Sequence, residues 1–399
     1  TTNALVGIGE ALAAADKVLA KERIDSLHAH YSNFYPELLK SPAARTKAED
    51  ILKEHFEFLN ILLKISFNEA IQRDILAQGE LLSTKLFHAL LEELEIPAVL
   101  LPALDFMSID ENSEPELGQI SERLKALLSQ YPDQQLFITQ GYICKNHRNE
   151  VDNLKRGGSD YTASLVAAAI QASVCEIWTD IDGMHNNDPR VVDRTRPIAE
   201  LSFDEAAELA YFGAKILHPA SIWPAQLHNV PVRLLNTMDP AAAGTLIKAE
   251  VAETGVKAIA AKDGITAINI KSSRMLLAYG FLRRIFEVFE SFKTPIDMIT
   301  TSEVAVSVTI DDLSHLDQIV EELRRFGTVE VDSNQAIVCV VGNQVAETKG
   351  AIQSVMDSLV DIPVRMVSFG GSKHNVSILI DAQYKVQALK NLNEGVFTW

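Results

Sequence analysis

The last third of the chain contains an internal duplication. Residues 294–312 (TPIDMITTSEVAVSVTIDD) and 362–382 (IPVRMVSFGGSKHNVSILIDA) share a Pro-aliphatic-charged-Met-aliphatic run and, after a loop, Val-Ser-aliphatic-x-Ile-Asp. Amphipathic helices precede and follow each copy, and each copy also has an earlier strand, which gives the order strand–helix–strand–strand–helix twice. This repeat predicts two small ferredoxin-like α/β modules in tandem. We place them at residues 264–335 and 336–399, with residues 248–263 as a linker that adds a strand to the second module.

Strands and helices alternate in the part of the chain before the duplication. Residues 1–247 are mostly helix-patterned as far as residue 130, and a buried strand at 136–143 then begins a strand–helix–strand series. Such alternation predicts an α/β domain with a mostly parallel sheet between layers of helices. Ligands of such sheets bind at the carboxyl ends of the strands.

Composition limits the classes of function. The formal net charge of −18 over 399 residues disfavours a broad nucleic-acid surface, because that surface needs clustered Lys and Arg. No apolar run reaches membrane-spanning length and the first residues lack a signal-peptide layout, so we expect a cytoplasmic protein that contacts no membrane. The three widely spaced cysteines, Cys144, Cys175 and Cys339, are expected to be small buried hydrophobes in a reducing compartment.

A glycine pair marks one candidate site. Gly157 and Gly158 remove side chains where the backbone could approach a ligand, and Ser159 or Asp160 could cap a helix that begins near Tyr161. The free N–H groups of a helix N-terminus favour phosphate. The glycines alone favour equally a tight turn that binds nothing.

Acidic residues follow the next predicted strand. Thr179-Asp180 ends that strand, and Asp182-Gly183 and Asn187-Asp188-Pro189-Arg190 come after it. Carboxylates at a strand's carboxyl end suit a magnesium–nucleotide site. For Asp182 and Asp188 the favoured alternative is a pair of surface turns.

Six motifs together resemble those of the aspartate kinases, and they occur in that family's order and spacing. They are QGELLSTKLF (78–87), FITQGYI (137–143), RGGSDYTA (156–163), WTDIDG (178–183), NDPRVV (187–192) and FGAKILHPAS (212–221). The resemblance covers essentially the whole chain. It implies an amino-acid-kinase-like fold followed by tandem ACT domains, and an enzyme that uses ATP and Mg²⁺ to phosphorylate the β-carboxylate of L-aspartate.

The resemblance also implies roles for individual residues in the aspartate site. Glu80 would bind the ammonium group of aspartate and Arg156 its α-carboxylate, while Asp160 would orient the cationic part of the site. Tyr142 and Thr2 would complete this site. Without the resemblance, Glu80 would be interpreted as a solvated glutamate on an amphipathic helix.

The nucleotide site is implied in the same way. Lys215 and Arg190 would reach the phosphates, and Lys215, Asp160 and Arg156 would be the catalytic residues. The full set expected to bind ATP is Gly157, Gly158, Ser159, Thr179, Asp180, His185, Arg190 and Lys215. His185 stands where the family often has tyrosine, and no side chain is assigned to a metal directly.

One family segment has no counterpart in these 399 residues. Aspartate kinases open with a strand and a Lys-Phe-Gly-Gly-Thr-Ser loop, whereas this sequence starts at Thr1-Thr2-Asn3. We expect either a fragment or a chain that lacks this phosphate-binding lysine, whose loss would cost orders of magnitude in rate.

The two modules differ where an effector would bind. Asp297 in the first copy aligns with Arg365 in the second, so only the first offers an anion to an amine. Residues 273–286 and 297–304 resemble the effector site of lysine-inhibited aspartate kinases. The implied L-lysine site consists of Met275, Gly280, Phe281, Leu282, Asp297, Thr301, Ser302 and Glu303. The alternative is that Phe281, Leu282, Ile285 and Phe286 form only the buried face of a helix.

Two other functions stay open from the sequence. One is a different kinase of the same fold that acts on glutamate, carbamate or a nucleotide. The other is a catalytically silent, lysine-binding regulatory subunit. In each case the ACT modules predict a homodimer or a tetramer.

Overall fold

The computed structural model describes residues 1–155, 157–212, 217–272 and 279–397. They form two compact units. The first unit contains residues 1–175 and 220–230, and the second contains residues 176–219 and 231–399.

Four helices with a common apolar core begin the first unit. They are α1 (Thr2–Ala13), α2 (Lys17–Leu38), α3 (Pro42–Leu62) and α4 (Glu69–Glu93). Side chains cap three of these helices: Asp16 Oδ1 accepts the N–H of Leu19, Ser41 Oγ that of Ala44, and Asn68 Oδ1 that of Ile71. All four helices bury apolar side chains in this core.

The rest of the first unit surrounds a second core, which contains Phe106 and Met107. Its strands are β1 (Val99–Leu100), β2 (Phe137–Ile138), β3 (Ile143–Lys145) and β4 (Val151–Asn153), and its helices are α5 (Leu117–Leu128), α6 (Gly158–Ile170) and α8 (Pro219–Leu227). β1 pairs with β2 in parallel and β3 with β4 in antiparallel orientation. The short hairpin β3–β4 leads directly to the glycine pair.

A four-stranded sheet begins the second unit. Its strands are β5 (Cys175–Thr179), β6 (Glu200–Ser202), β7 (Val232–Asn236) and β8 (Thr245–Lys248), in the order β5-β7-β8-β6. β6 and β8 are parallel, whereas β7 and β8 are antiparallel. Helix α7 (Phe203–Tyr211) follows β6 directly and starts with a capping box between Ser202 and Glu205.

The duplicated modules share one six-stranded sheet. Its strands are β9 (Gly255–Lys271), β10 (Ile299–Thr301), β11 (Ala305–Ile310), β12 (Thr328–Asn343), β13 (Val364–Phe369) and β14 (Asn375–Asp381), in the order β10-β11-β9-β12-β14-β13. Its helices are α9 (Phe281–Ser291), α10 (Leu316–Leu323), α11 (Ala351–Ser358) and α12 (Lys385–Val396). Residues 255–262, assigned from sequence to the linker, form the first half of β9 and pair with residues 337–343.

The mixed α/β class is therefore confirmed. Helix α7 ends at Tyr211, before residues 213–216, which lie outside the described residues. The three cysteines are buried, as expected. Burial raises the pKa of the Cys144 thiol to about 12, so it is unreactive. No helix in the described ranges is both long and apolar enough to cross a bilayer.

Helix α7 is attached to the six-stranded sheet by a buried ion pair. The Lys257 ammonium on β9 lies 3.2 Å from both carboxylate oxygens of Glu205, and the two side chains are 6% and 0% exposed. Glu205 Oε2 also accepts the N–H of Ser202 at 2.7 Å. Because neither charge has access to water, each depends on the other.

Lys257→Ala is expected to lower the free energy of unfolding by about 3–5 kcal/mol, because it leaves the Glu205 charge buried without its partner. The matched control is Lys248→Ala, which breaks the half-exposed pair of Lys248 and Glu200 and should cost about 0–1 kcal/mol. Urea denaturation measures both. Equal losses would show that the buried pair does not anchor α7.

Candidate functional site

The glycine pair starts helix α6 in an unexpected way. Gly157 is the N-cap residue with φ +63°, and the helix begins at Gly158 without a side-chain cap. The expectation that Ser159 or Asp160 caps a helix beginning near Tyr161 is therefore wrong. A left-handed residue at the N-cap turns the chain into the helix sooner, and glycine adopts it at little cost.

Gly158 is required by packing against Tyr142. A Cβ atom at residue 158 would lie 2.4 Å from Tyr142 Cδ2 and 3.1 Å from Tyr142 Cα. The absence of a side chain at Gly158 therefore leaves the space that Tyr142 occupies. The N–H groups at the start of α6 remain available for an anion.

Tyr142 has a strained backbone that neighbouring groups hold in place. Its φ is +67°, which costs a non-glycine residue about 1–3 kcal/mol. The N–H of Tyr142 donates to Thr162 Oγ1 at 3.0 Å, and its carbonyl accepts the N–H of Leu154 at 2.8 Å. Such strain is typical of residues whose side chain must point in one direction. Thr162 was not predicted as a site residue, although the Thr of RGGSDYTA was a signal for it.

Glu80 and Asp160 are half-buried carboxyl groups in the same unit. Burial raises the pKa of each, and no described residue forms an ion pair with either. Burial, Asp152 and, more weakly, Glu80 raise the pKa of the Tyr142 hydroxyl, so Glu80 lies within electrostatic range of that ring. Two desolvated carboxyl groups without a described cation favour a cationic ligand.

The N-terminus lies beside the helical turn that carries Glu80. A Cβ atom at Gly79 would be 3.5 Å from Thr1 Cγ2 and 3.1 Å from Leu5 Cδ1. Thr2 is exposed at the start of α1. The structure therefore brings the Thr1–Thr2 segment close to Glu80.

The predicted nucleotide residues of the second unit have local partners. Thr179 Oγ1 donates to Asp180 Oδ1 at 3.1 Å, and Asp180 is exposed. His185 Nε2 lies 2.8 Å from Asp182 Oδ1, and this hydrogen bond lowers the pKa of Asp182. His185 Nδ1 also lies 3.3 Å from Thr195 Oγ1.

Arg190 is paired within its own turn. Its Nε and one terminal nitrogen donate to the two oxygens of Asp188 at 2.9 and 2.8 Å, while the side chain is 85% exposed. This turn rests on a buried residue that the sequence analysis treated only as part of a turn: Asn187, 2% exposed. The Asn187 amide donates to Leu389 O at 3.1 Å and Asn393 Oδ1 at 3.2 Å, both on α12.

The predicted effector residues lie in the first module. Gly280 has φ +77° and is the N-cap of α9, and no side chain caps the N–H groups of Phe281 and Leu282. Phe281 and Ile285 are buried, whereas Leu282 and Phe286 are 38% and 42% exposed, so the buried-face alternative holds for only two of these four residues.

Asp297 is the most enclosed acid of this module. Its side chain is 1% exposed, and Oδ1 accepts hydrogen bonds from Lys262 Nζ and Tyr211 Oη, both at 2.7 Å. Thr301, Ser302 and Glu303 are exposed. Neither Lys262 nor Tyr211 was predicted, because their separation from Asp297 in sequence gives no local signal.

Three predicted site residues, Arg156, Lys215 and Met275, lie outside the described residues. Within the described ranges, no group of three His, Cys, Asp or Glu side chains is arranged to hold a metal ion. Mg²⁺ commonly binds through one or two carboxylates together with substrate phosphates. Asp180 is exposed and accepts a hydrogen bond from Thr179, and its carboxylate has the oxygen-donor chemistry for that arrangement.

Comparisons with known proteins agree with these features. A model of the amino acid kinase family matches residues 10–236, more than half of the chain, and an ACT domain model matches residues 338–395. The lysine-sensitive aspartokinase 3 of Escherichia coli (strain K12) is 32% identical over 408 residues, which cover 99% of this chain and 90% of that protein. The chain belongs to the aspartokinase family. The chloroplastic aspartokinase 2 of Arabidopsis thaliana is also 32% identical, over 100% of this chain and 77% of its own length.

Solved structures of aspartokinases are similar over the whole chain. E. coli aspartokinase III in complex with aspartate and ADP (R-state) gives a TM-score of 0.82 at 31% identity and covers 100% of this chain and 91% of that one. The same enzyme in complex with lysine and aspartate (T-state) gives 0.80 at 31% identity, covering 100% and 90%. The expected amino-acid-kinase fold followed by ACT modules is confirmed, as is the resemblance to aspartate kinases.

Glu80→Gln is expected to raise the thermal unfolding midpoint of this aspartokinase at pH 7 in the absence of ligand. Burial raises the folded-state pKa of Glu80, so its ionised form destabilises the folded state above the ordinary glutamate pKa. The gain should shrink as the pH falls toward the ordinary glutamate pKa of about 4.3 and vanish below it, where the carboxyl is neutral in both states. Unfolding followed by circular dichroism from pH 4 to 8 measures it. A lower midpoint at pH 7 would reveal a stabilising partner of Glu80.

Proposed function

We propose that the chain transfers the γ-phosphoryl group of ATP to the β-carboxylate of L-aspartate. A carboxylate oxygen forms a bond to the γ-phosphorus while the bond to the bridging oxygen breaks, giving 4-phospho-L-aspartate and ADP. The carboxylate is ionised at pH 7, so the reaction needs no general base. Catalysis of this step consists of positioning and charge stabilisation. The product would begin the route to lysine, threonine and methionine.

The observation that supports the aspartate site best is the pair of half-buried carboxyl groups, Glu80 and Asp160. Burial raises the pKa of each carboxyl group, and neither forms an ion pair with a described residue. The ammonium group of a bound amino acid would therefore stabilise the ionised form of Glu80. Tyr142, in its strained conformation, would form part of the pocket wall. Arg156 would form a forked pair with the α-carboxylate. Thr2 would complete the site, since it follows Thr1, whose side chain lies beside the turn that carries Glu80.

ATP would bind through two groups of residues. The N–H groups of Gly158 and Ser159 suit phosphate oxygens at the start of α6. Thr179, Asp180 and His185 would contact the nucleotide, and Arg190 and Lys215 its phosphates. Arg190 would have to exchange its bonds to Asp188 for a phosphate, which its exposure permits. Magnesium bound with ATP would neutralise phosphate charge. Asp180, next to Thr179 in the sequence, would be its carboxylate ligand.

Glu80→Gln is expected to raise the KM for aspartate by about tenfold to a hundredfold, because a hydrogen bond between charged groups contributes about 1.5–3 kcal/mol. ATP-dependent formation of aspartyl hydroxamate measures it. The control is Glu92→Gln, the same change on the same helix, where Glu92 forms an exposed pair with Lys47. An unchanged KM in Glu80→Gln, or an equal rise in both variants, would contradict the assignment. Absence of activity in the unsubstituted chain would favour the silent-subunit alternative.

We also propose that L-lysine binds the first module and inhibits the enzyme. The support is the buried Asp297, the uncapped N–H groups of Phe281 and Leu282, and the similarity to an aspartokinase named as lysine-sensitive. The N–H groups would take the α-carboxylate, and Asp297 a cationic group. Met275, Gly280, Thr301, Ser302 and Glu303 would surround the rest of the ligand.

Asp297→Asn is expected to raise the half-inhibitory concentration of L-lysine at least about tenfold, because it removes the charge from the hydrogen bond to the amine. The hydroxamate assay with added lysine measures it. Asp317→Asn removes an exposed carboxylate from α10 of the same module and serves as the control. Identical inhibition of both variants would place the amine elsewhere.

We also propose domain bounds and an oligomeric state for the chain. The kinase domain would span residues 1–247, residues 248–263 would be the linker, and the ACT modules would span 264–335 and 336–399. The enzyme would act in the cytoplasm as a homodimer or tetramer. Sedimentation analysis with and without lysine tests the assembly.

A further inference from the structure

A polar cluster around Asp297 contains more residues than the effector site requires. Lys262 Nζ lies 2.7 Å from Asp297 Oδ1 and 2.9 Å from Asp311 Oδ2, and 4.5 Å from the centre of the Tyr211 ring. The Tyr211 hydroxyl donates to the same Asp297 oxygen at 2.7 Å. The other oxygen, Asp297 Oδ2, is buried and has no hydrogen-bond partner among the described residues.

The charges of this cluster do not balance. Two carboxylates, Asp297 and Asp311, share one ammonium, that of Lys262, which leaves one negative charge. Burial alone would lower the pKa of Lys262, but its hydrogen bonds to both acids outweigh burial and raise it, so the residue stays charged. One further monocation would neutralise the cluster and supply the donor that Asp297 Oδ2 needs. A primary amine has this chemistry.

Tyr211 connects the cluster to helix α7, of which it is the last residue. Three other polar contacts between described residues attach α7 to β9 and to the second module. Lys257 on the first half of β9 pairs with Glu205, Asn375 Nδ2 donates to Glu208, and His374 Nε2 lies 3.9 Å from Asp204 Oδ2. These three involve the second module or the half of β9 that pairs with it. Of the four contacts, only the Tyr211–Asp297 hydrogen bond reaches the first module.

We propose that Tyr211 is a positioning residue that couples occupancy of Asp297 to helix α7. An amine that binds Asp297 Oδ2 neutralises the excess charge of the cluster and changes the orientation of the carboxylate to which the Tyr211 hydroxyl is bonded. The end of α7 responds through that bond. The chain continues from Tyr211 to Lys215, the proposed phosphate ligand, in four residues. This inference rests on the proposed inhibition by lysine and adds the residue that transmits it.

Tyr211→Phe is the test, because it removes one hydroxyl from a ring that is 42% exposed and leaves the fold intact. Lysine binding is measured by titration calorimetry and inhibition by the hydroxamate assay, both on the full chain. We expect the dissociation constant to stay within threefold of the unsubstituted chain. The half-inhibitory lysine concentration should rise by about tenfold or more, the range typical of coupling between sites.

Tyr35→Phe is the matched control. The Tyr35 hydroxyl also donates to a carboxylate, Glu49 Oε1 at 2.8 Å, but on the helices of the first unit. This variant should bind lysine and be inhibited like the unsubstituted chain. A merely structural effect of losing a phenol–carboxylate bond would not separate binding from inhibition.

Two results would overturn the inference while lysine regulation stands. One is inhibition of Tyr211→Phe at unchanged lysine concentrations. The other is a parallel loss of binding and inhibition, which would make Tyr211 only a contact of the ligand site. If lysine neither binds nor inhibits the unsubstituted chain, the proposed regulation fails, and the coupling role fails with it.

Discussion

The ion pair between Glu205 and Lys257 determines how the second unit is put together. Glu205 closes the capping box of α7 and at the same time neutralises a lysine of β9, with both side chains almost fully buried. A lone charge at either position would cost several kcal/mol, so the helix and the strand stay associated wherever the chain is folded. Helix α7 lies within the residues that match the amino acid kinase family, and it thus packs with the ACT modules as one structure.

The same arrangement brings the modules into contact with the segments that carry the proposed nucleotide residues. Asn187 is fixed by α12 next to the turn of Asp188 and Arg190, and α7 ends shortly before Lys215 in the sequence. A ligand of the modules therefore needs no long path to influence these segments. Differential binding of that ligand to two arrangements would suffice to shift their populations.

Local patterns in the sequence predicted much of this structure. Apolar periodicity found the helices, the duplication found both modules, and the motif order found the family. The failures involve contacts between distant residues. Gly158 is explained by Tyr142, and the N-cap at Gly157 by a backbone conformation rather than by a polar side chain. Tyr211 and Lys262 were missed because only the folded sheet brings residues 211, 262 and 297 together.

Strands β9 and β12, of 17 and 16 residues, each run through both modules. A register shift lies between Asp332 and Gln335 of β12, where Asn334 has φ +59°. Because alternate side chains of a strand face opposite sides, one inserted or deleted residue in either strand would exchange the buried and solvated faces of everything beyond it. Evolution can therefore change the exposed residues of these two strands more readily than their length. Because both strands run through both modules, a change of length in one module also affects the other.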